Sequence, residues 1–319
     1  MSSEKNCVSK KQKDCKVYSL LDLPEWILDC ILECLSPLDL FRVAEVCSSL
    51  RDKTRSDALW EKLIKQKWGR LVGDVAHQEW LWHTTKINTQ SLLLLQQNQG
   101  GLCGSSTGVW PSLSFNSYLE NFIDFITLIK SCSKMAFYIC LESGRFWFPV
   151  QLYKSGNQNL SVCDAIVSYD SRTNTFQARS RRGGWHMIEG NVPWDKLRMS
   201  PVETSPMTFY VSNSMNDLKP GDQIEIQIRR RTDSHYTWSY AVIGHPETCE
   251  EDVNHCHCKY NDMLVVEFKQ YKGQSRWRRS VLNRKLHEEQ GSRPRWFGGI
   301  RKLVNEDEIK RWNNFLTSK

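Results

Sequence analysis

No apolar run in this 319-residue chain is long enough to cross a bilayer. The longest, LLLL at 92–95 and FIDFITLI at 122–129, fall far short of the roughly 20 residues that a spanning helix needs. The first residues, MSSEKNCVSKKQKDCK, lack the apolar core of a secretory signal. The expectation is a soluble protein, cytoplasmic and/or nuclear, with no membrane partner. Equally missing are a Gly-rich phosphate loop, a nucleophile elbow, a His-Glu-x-x-His helix and any acidic pair set apart from ordinary surface pattern. An enzyme is therefore the least supported reading, and no cofactor is expected. The 12 Cys form no regular framework; Cys30, Cys34, Cys47, Cys140 and Cys163 sit inside hydrophobic patterns, as reduced, buried thiols do, and no structural disulfide is expected.

The chain is 40% hydrophobic and holds 13 Trp, which excludes a largely disordered polymer and allows two units with their own cores. Its formal charge of +7 is local: residues 271–302 carry ten Lys/Arg against Glu288 and Glu289.

Residues 1–16 read as a disordered lead. Between Val17 and Trp68 the apolar period is helical. Pro24 stands where a first-turn proline belongs, and Ile27, Leu28, Ile31, Leu32 and Leu35 follow as one stripe. Ser36-Pro37-Leu38-Asp39 restarts the chain as N-cap, first-turn proline and dipole-complementing acid, and Leu40, Val43, Cys47 and Leu50 form a second stripe. Asp57 caps a third helix with Leu59, Trp60, Leu63 and Ile64 inward, ending near Trp68-Gly69. About 45 residues cannot bury this many apolar side chains among themselves, so part of the pattern is expected to face a partner.

Leu23-Pro24, Ile31-Leu32, Leu35, Leu38 to Leu40, Val46-Cys47 and Leu59-Trp60 closely resemble the F-box, in order, spacing and punctuation. The likeness covers about 45 residues, 17–68 being the module; Leu50 departs from it, where many members carry Trp. The resemblance implies docking on a Skp-family adaptor and, through it, a cullin and a RING subunit. It also implies that this chain supplies position rather than catalysis. The expected adaptor-binding residues are Leu23, Pro24, Ile27, Ile31, Leu32, Leu35, Leu40, Val43, Val46 and Cys47.

Residues 69–134 read as a helical linker, with EWLWHTTKI and SYLENFIDFITLIKSCSKM helical and a Gln/Gly/Ser-rich loop between them as the hinge. Over 135–275 the period changes to two. MAFYICLE, FWFPVQLY, VCDAIVSYD, TFQARS, MTFYVS, DQIEIQIRR, YTWSYAVIG and MLVVEFKQY read as strands of an antiparallel sandwich or barrel. In the clearest, Ile224, Ile226 and Ile228 point one way and Glu225 and Gln227 the other. Residues 276–319 read as a basic segment followed by a C-terminal helix, NEDEIKRWNNFLTSK. The fold class is thus α+β: a three-helix N-terminal module, a helical linker and an antiparallel β-sandwich or barrel, which the F-box resemblance implies is the part that selects an unidentified protein target.

Three features bear on that target. RRGGWHMIEG (181–190) resembles the DGWME strand of plant F-box proteins whose second domain is similar to the phloem lectins, and Trp147, Trp185, Trp194 and Trp238 are either sugar platforms or, by the larger weight, core. Arg interleaved with Trp277, Trp296 and Phe297 could bind an acidic ligand or nucleic acid, with a solvated basic face the favoured alternative. CEEDVNHCHCKY offers Cys249, His255, Cys256, His257 and Cys258, but on an extended chain alternate residues diverge, so a plain loop and no metal are expected. The main reading is a substrate receptor of an SCF-type ubiquitin ligase; the alternative is a free-standing lectin-like or nucleic-acid-binding protein with a vestigial F-box.

Overall fold

The computed structural model describes residues 19–89, 102–103, 113–114, 133–155, 160–181, 185–199, 210, 212, 215–229, 236–247, 249, 256–271, 273–285 and 296–317. The lead at 1–16, most of the loop after residue 89 and most of the SYLENFIDFITLIKSCSKM stretch lie outside them. The chain divides into two compact units, Met1–Lys62 and Leu63–Lys319.

The first unit is helical. A single 3-10 turn, Leu20–Asp22, is closed by a reciprocal cap between Ser19 and Asp22. It is followed by α1 (Glu25–Glu33), α2 (Pro37–Val46), α3 (Ser48–Thr54) and the start of α4 (Asp57–Trp68). The stripe expected as one helix through Leu50 is two. Cys47 is extended (φ −158°, ψ 166°) and its thiol accepts the Leu50 amide at 3.5 Å, so it ends α2 and caps α3. The freed end of α2 is satisfied by Arg51, whose Nε donates to the Ala44 carbonyl at 3.0 Å. Leu28, Leu32, Leu40, Leu50, Leu59 and Trp60 are buried, and the Trp60 indole donates to the Thr54 carbonyl at 2.7 Å.

The second unit includes the end of α4, then α5 (Asp74–Thr89) and α6 (Lys134–Glu142). MAFYICLE is thus a helix, not a strand. Ser133 caps it by accepting the Ala136 amide at 3.2 Å, and Ala136, Phe137, Tyr138, Cys140 and Leu141 are all buried. A helix buried nearly all round shows no amphipathic period, and its β-branched and aromatic content then reads as strand. It ends at Gly144, whose φ of +66° and close approach to the Tyr169 carbonyl leave no room for a Cβ.

Ten antiparallel strands follow among the described residues, in one curled sheet. They are β1 (Phe148–Ser155), β2 (Leu160–Asp170), β3 (Thr175–Arg181), β4 (Trp185–Val192), β5 (Leu197–Met199), β6 (Gln223–Ile228), β7 (Thr237–Gly244), β8 (Met263–Glu267), β9 (Arg279–Asn283) and β10 (Phe297–Lys302). Pairing gives two halves, ordered β4-β3-β2-β1-β5 and β9-β8-β7-β6-β10, joined where Val162 of β2 pairs with Trp238 of β7. β9 and β10 come from the basic segment, which is built into the sheet rather than appended to it. The final helix, α7 (Glu306–Thr317), is present as the pattern predicts.

Ile224 and Ile226 face a core of Leu218, Ala241, Ile243, Leu264, Val266 and Ile300. The other face of β6 is polar in sequence but not wet. Glu225 and Gln227 are fully buried, because Tyr153, Trp238, Tyr240 and the α7 residue Trp312 build a second core there. The Glu225 carboxylate accepts from both terminal nitrogens of Arg198, from Arg301 at 2.8 Å and from the Trp312 indole. Burial raises its pKa, but the two guanidinium groups overcome this and hold the carboxyl well below its ordinary value. Arg198 Nε also donates to Gln151 at 2.7 Å, and Gln151 donates to Asp164 at 2.8 Å.

Asp164 behaves in the opposite sense: burial pushes it up to about 6, against the lowering effects of the Gln151 hydrogen bond and of Arg198. Between about pH 4 and about pH 6 the unfolded chain has lost this proton while the folded chain keeps it, so stability falls as pH rises through that interval. Asp164→Asn is expected to raise the melting temperature at neutral pH and to give no gain below about pH 4, as paired thermal melts would show.

Candidate functional site

The surface of the first unit is set by its punctuation. The cap at Ser19 and Asp22 (Ser19 amide to Asp22 Oδ2, 2.7 Å) holds the turn that presents Leu20, Leu21 and Leu23 to solvent. Pro24 follows, and its carbonyl accepts the Ile27 amide at 2.9 Å to open α1. Ser36 accepts the Asp39 amide at 3.2 Å and donates to the Asp39 carboxylate at 2.6 Å, which starts α2 with Leu38 outward. Lys53 pairs with Glu25 at 2.6 Å and Lys62 with Glu33, so α3 and α4 are each tied to α1. These exposed pairs fix orientation more than stability.

The ten expected docking residues separate by burial. Leu32 and Leu40 are buried in the unit's own core and add no area to a partner surface; their role is to hold α1 and α2 together. Ile27, Ile31, Leu35, Val43 and Cys47 are half-buried, and Leu23, Pro24 and Val46 are exposed. The apolar surface also includes residues outside that set of ten: Trp26 at 69% exposure and Leu38 at 61%, beside Leu20, Leu21 and Phe41. The signal was available, since apolar residues that fall outside the inward stripe of a short helix are surface residues. Of the fifteen large apolar side chains exposed among the described residues, seven lie between Leu20 and Val46, which makes this segment the main apolar surface among those residues.

In the second unit most aromatic side chains are structural. Trp147 and Trp238 are buried, and Trp194 packs at 4.7 Å from Phe176 and 5.2 Å from Trp68 in a cluster completed by Tyr169. The Trp185 side chain lies outside the described residues. Four of the seven arginines of the basic segment make contacts within the fold. Arg278 donates to the carbonyls of Lys269 and Tyr271 at 3.1 and 2.8 Å, and Arg279 to the His245 carbonyl and Glu247. Buried Arg284 donates to the carbonyls of Asn261, Leu218 and Met215, while Lys285 pairs with Asp262, Arg301 with Glu225, and Lys302 with Asp222. Six of the ten basic residues therefore carry fold contacts, and Lys272, Arg293 and Arg295 lie outside the described residues.

The Cys/His segment gathers ligand-type side chains that an extended chain would hold apart. The ligand atoms of Cys249, Cys256 and Cys258 lie within 4.8 Å of one another and of His245, a residue the sequence reading left out. A 3-10 turn at His257–Tyr260 begins after Cys256 and breaks the extended path on which alternate side chains would diverge. His257 is exposed and outside the group, and His255 lies outside the described residues.

The described residues thus form a helical unit with a solvent-facing apolar surface, followed in sequence by a β-rich unit with its own cores. A family profile described as F-box-like matches residues 20–66. The chain is 43% identical over 310 residues to the Arabidopsis thaliana F-box protein At2g26850, covering 94% of this chain and 83% of that one. It is 40% identical over 320 residues to the Arabidopsis thaliana F-box protein At2g41170, covering 97% and 86%. The chain belongs to the F-box protein family. Membership implies binding to a Skp-family adaptor, and F-box proteins are generally non-catalytic adaptors.

Arg284→Ala is expected to lower the free energy of unfolding by about 1–3 kcal/mol, because it strands buried carbonyls. Lys285→Ala, removing an exposed pair, should cost less than about 1 kcal/mol, and denaturant titration would separate the two.

Proposed function

We propose that this protein is the substrate-recognition subunit of an SCF-type E3 ubiquitin ligase. Its first unit binds a Skp-family adaptor, which links it to cullin and RING subunits, and its second unit holds a protein target destined for the proteasome. The observation that carries the reading is the concentration of exposed apolar side chains between Leu20 and Val46 on a segment whose sequence matches the F-box. Such a surface is costly in water and gains from being covered.

The chain contributes no catalytic group in this scheme. It contributes proximity: a target held near the ubiquitin donor reacts at a high effective concentration. Target binding falls to the second unit, whose exposed apolar side chains include Tyr260, Met263, Trp277, Val281 and Trp296. Burial of Trp147 and Trp238 removes two of the four platforms that a sugar-binding reading needs. The fold contacts made by Arg278, Arg279, Arg284 and Arg301 likewise remove cations from a nucleic-acid reading. The expected location is cytoplasmic and/or nuclear, where SCF complexes meet their targets.

Co-purified with a Skp-family adaptor, the full chain is expected to elute as a one-to-one complex. Leu38→Asp, or the pair Leu23→Ala and Pro24→Ala, should weaken it by about tenfold or more, the effect of losing 1.4 kcal/mol. Leu32→Ala should instead lower the melting temperature of the free protein, because it cuts a buried contact. No co-elution of the unmutated chain with any Skp-family adaptor would end the proposal.

A further inference from the structure

We propose that His245, Cys249, Cys256 and Cys258 hold one zinc ion, as a closed Cys3His structural site at the end of the β7–β8 hairpin. The four donor atoms lie within 4.8 Å of one another. The Cys249 and Cys258 sulfurs stand 3.5 and 3.7 Å from His245 Nδ1. Tetrahedral zinc, with Zn–S of about 2.3 Å and Zn–N of about 2.0–2.1 Å, sets an S···N edge of about 3.5 Å. The two sulfur–nitrogen separations match that edge, and the remaining donor atoms lie close enough for one ion to draw them in. None of the three cysteines is in a disulfide.

The donor set selects the metal. Three thiolates and one imidazole are soft and borderline ligands, unsuited to magnesium or calcium, and a tetrahedral sulfur-rich set favours zinc. Four protein ligands leave no open position, so the ion is structural rather than catalytic. On binding, the three thiols release their protons to solvent, and the complex carries one net negative charge.

Both arms of the connection are positioned by residues that are not ligands. His245 directly follows Gly244, the last residue of β7, which pairs with Val265 of β8. Arg279 of β9 donates to the His245 carbonyl and reaches Glu247 at 3.2 Å, which fixes the outgoing arm. On the returning arm the His257–Tyr260 turn sets Cys256 and Cys258, while Arg284 holds the Asn261 carbonyl at 3.0 Å and Lys285 pairs with Asp262 at 2.9 Å. With zinc in place, ligands from both arms close the loop covalently through one ion. Exposed Tyr260 and Met263 follow it directly in the chain, so the ion also fixes part of the face offered to a target.

The test uses the full, untagged chain, co-expressed with its adaptor if needed, in zinc-supplemented medium. Elemental analysis is expected to return about one zinc per chain, falling to near none in Cys256→Ser and in His245→Ala, with His257→Ala and Cys163→Ser unchanged. Because loss of a ligand can unfold the protein as well as empty the site, two further measurements keep the assignment open to refutation. His245→Cys, which keeps four ligands, should retain the ion. Exchange of the wild-type protein with cobalt should give the absorption of tetrahedral cobalt, with a thiolate-to-cobalt charge-transfer band. Unmutated protein without stoichiometric zinc, iron in its place, or equal zinc in the Cys256→Ser variant would overturn the site. None of these outcomes depends on adaptor binding, so the site and the ligase reading stand or fall separately.

Discussion

A fully buried carboxylate governs the architecture of the β-rich unit. Glu225 sits in the middle of β6, where water cannot solvate it, and an isolated charge there would cost more than the domain's net stability. It is tolerated because Arg198 from β5, Arg301 from β10 and Trp312 from α7 all converge on its two oxygens. Each donor comes from a distant part of the chain, so the carboxylate fixes how the two halves of the sheet and the last helix meet. Removing one donor leaves the others aimed at an under-satisfied group, which is how a polar network specifies one arrangement more than it adds stability.

The same logic explains the basic segment. A charge excess confined to residues 271–302 looks like a binding surface in sequence, yet its arginines mostly terminate on backbone carbonyls and buried acids. The guanidinium fork suits such work, since it satisfies several acceptors at once and holds its charge at every relevant pH. Cations that staple loops to a sheet are poorly placed to neutralise phosphates. Among the described residues most of the segment's cations are engaged within the fold, and the exposed apolar groups become the better guide to partners.

The helical unit divides its apolar residues between two tasks. Leu28, Leu32, Leu40 and Trp60 form a core just large enough to fix four short helices. What remains, from Leu20 to Val46, stays at the surface, because so short a chain has too little interior for every apolar side chain. In the function proposed above, that surface is the side that meets an adaptor.

Sequence alone determined the elements whose signals are local. Ser36-Pro37 starts α2 and the alternation of Ile224, Ile226 and Ile228 marks β6, as expected, while Pro24 and Asp57 also mark helix starts, Pro24 as the cap before α1 and Asp57 as the first residue of α4. The module's resemblance to the F-box was legible for the same reason, being a contiguous run of caps and stripes. Only the tertiary structure decided the rest. The burial of α6 on all sides erased its period, Cys47 traded a helical turn for a cap, and the polar face of β6 proved to be interior because α7 covers it. The pairing of β9 and β10 into the sheet, and the gathering of His245 with Cys249, Cys256 and Cys258, depend on residues far apart or on a turn that re-aims alternate side chains. Local spacing records backbone geometry; convergence in space depends on which surfaces find each other and on turns that re-aim neighbouring side chains.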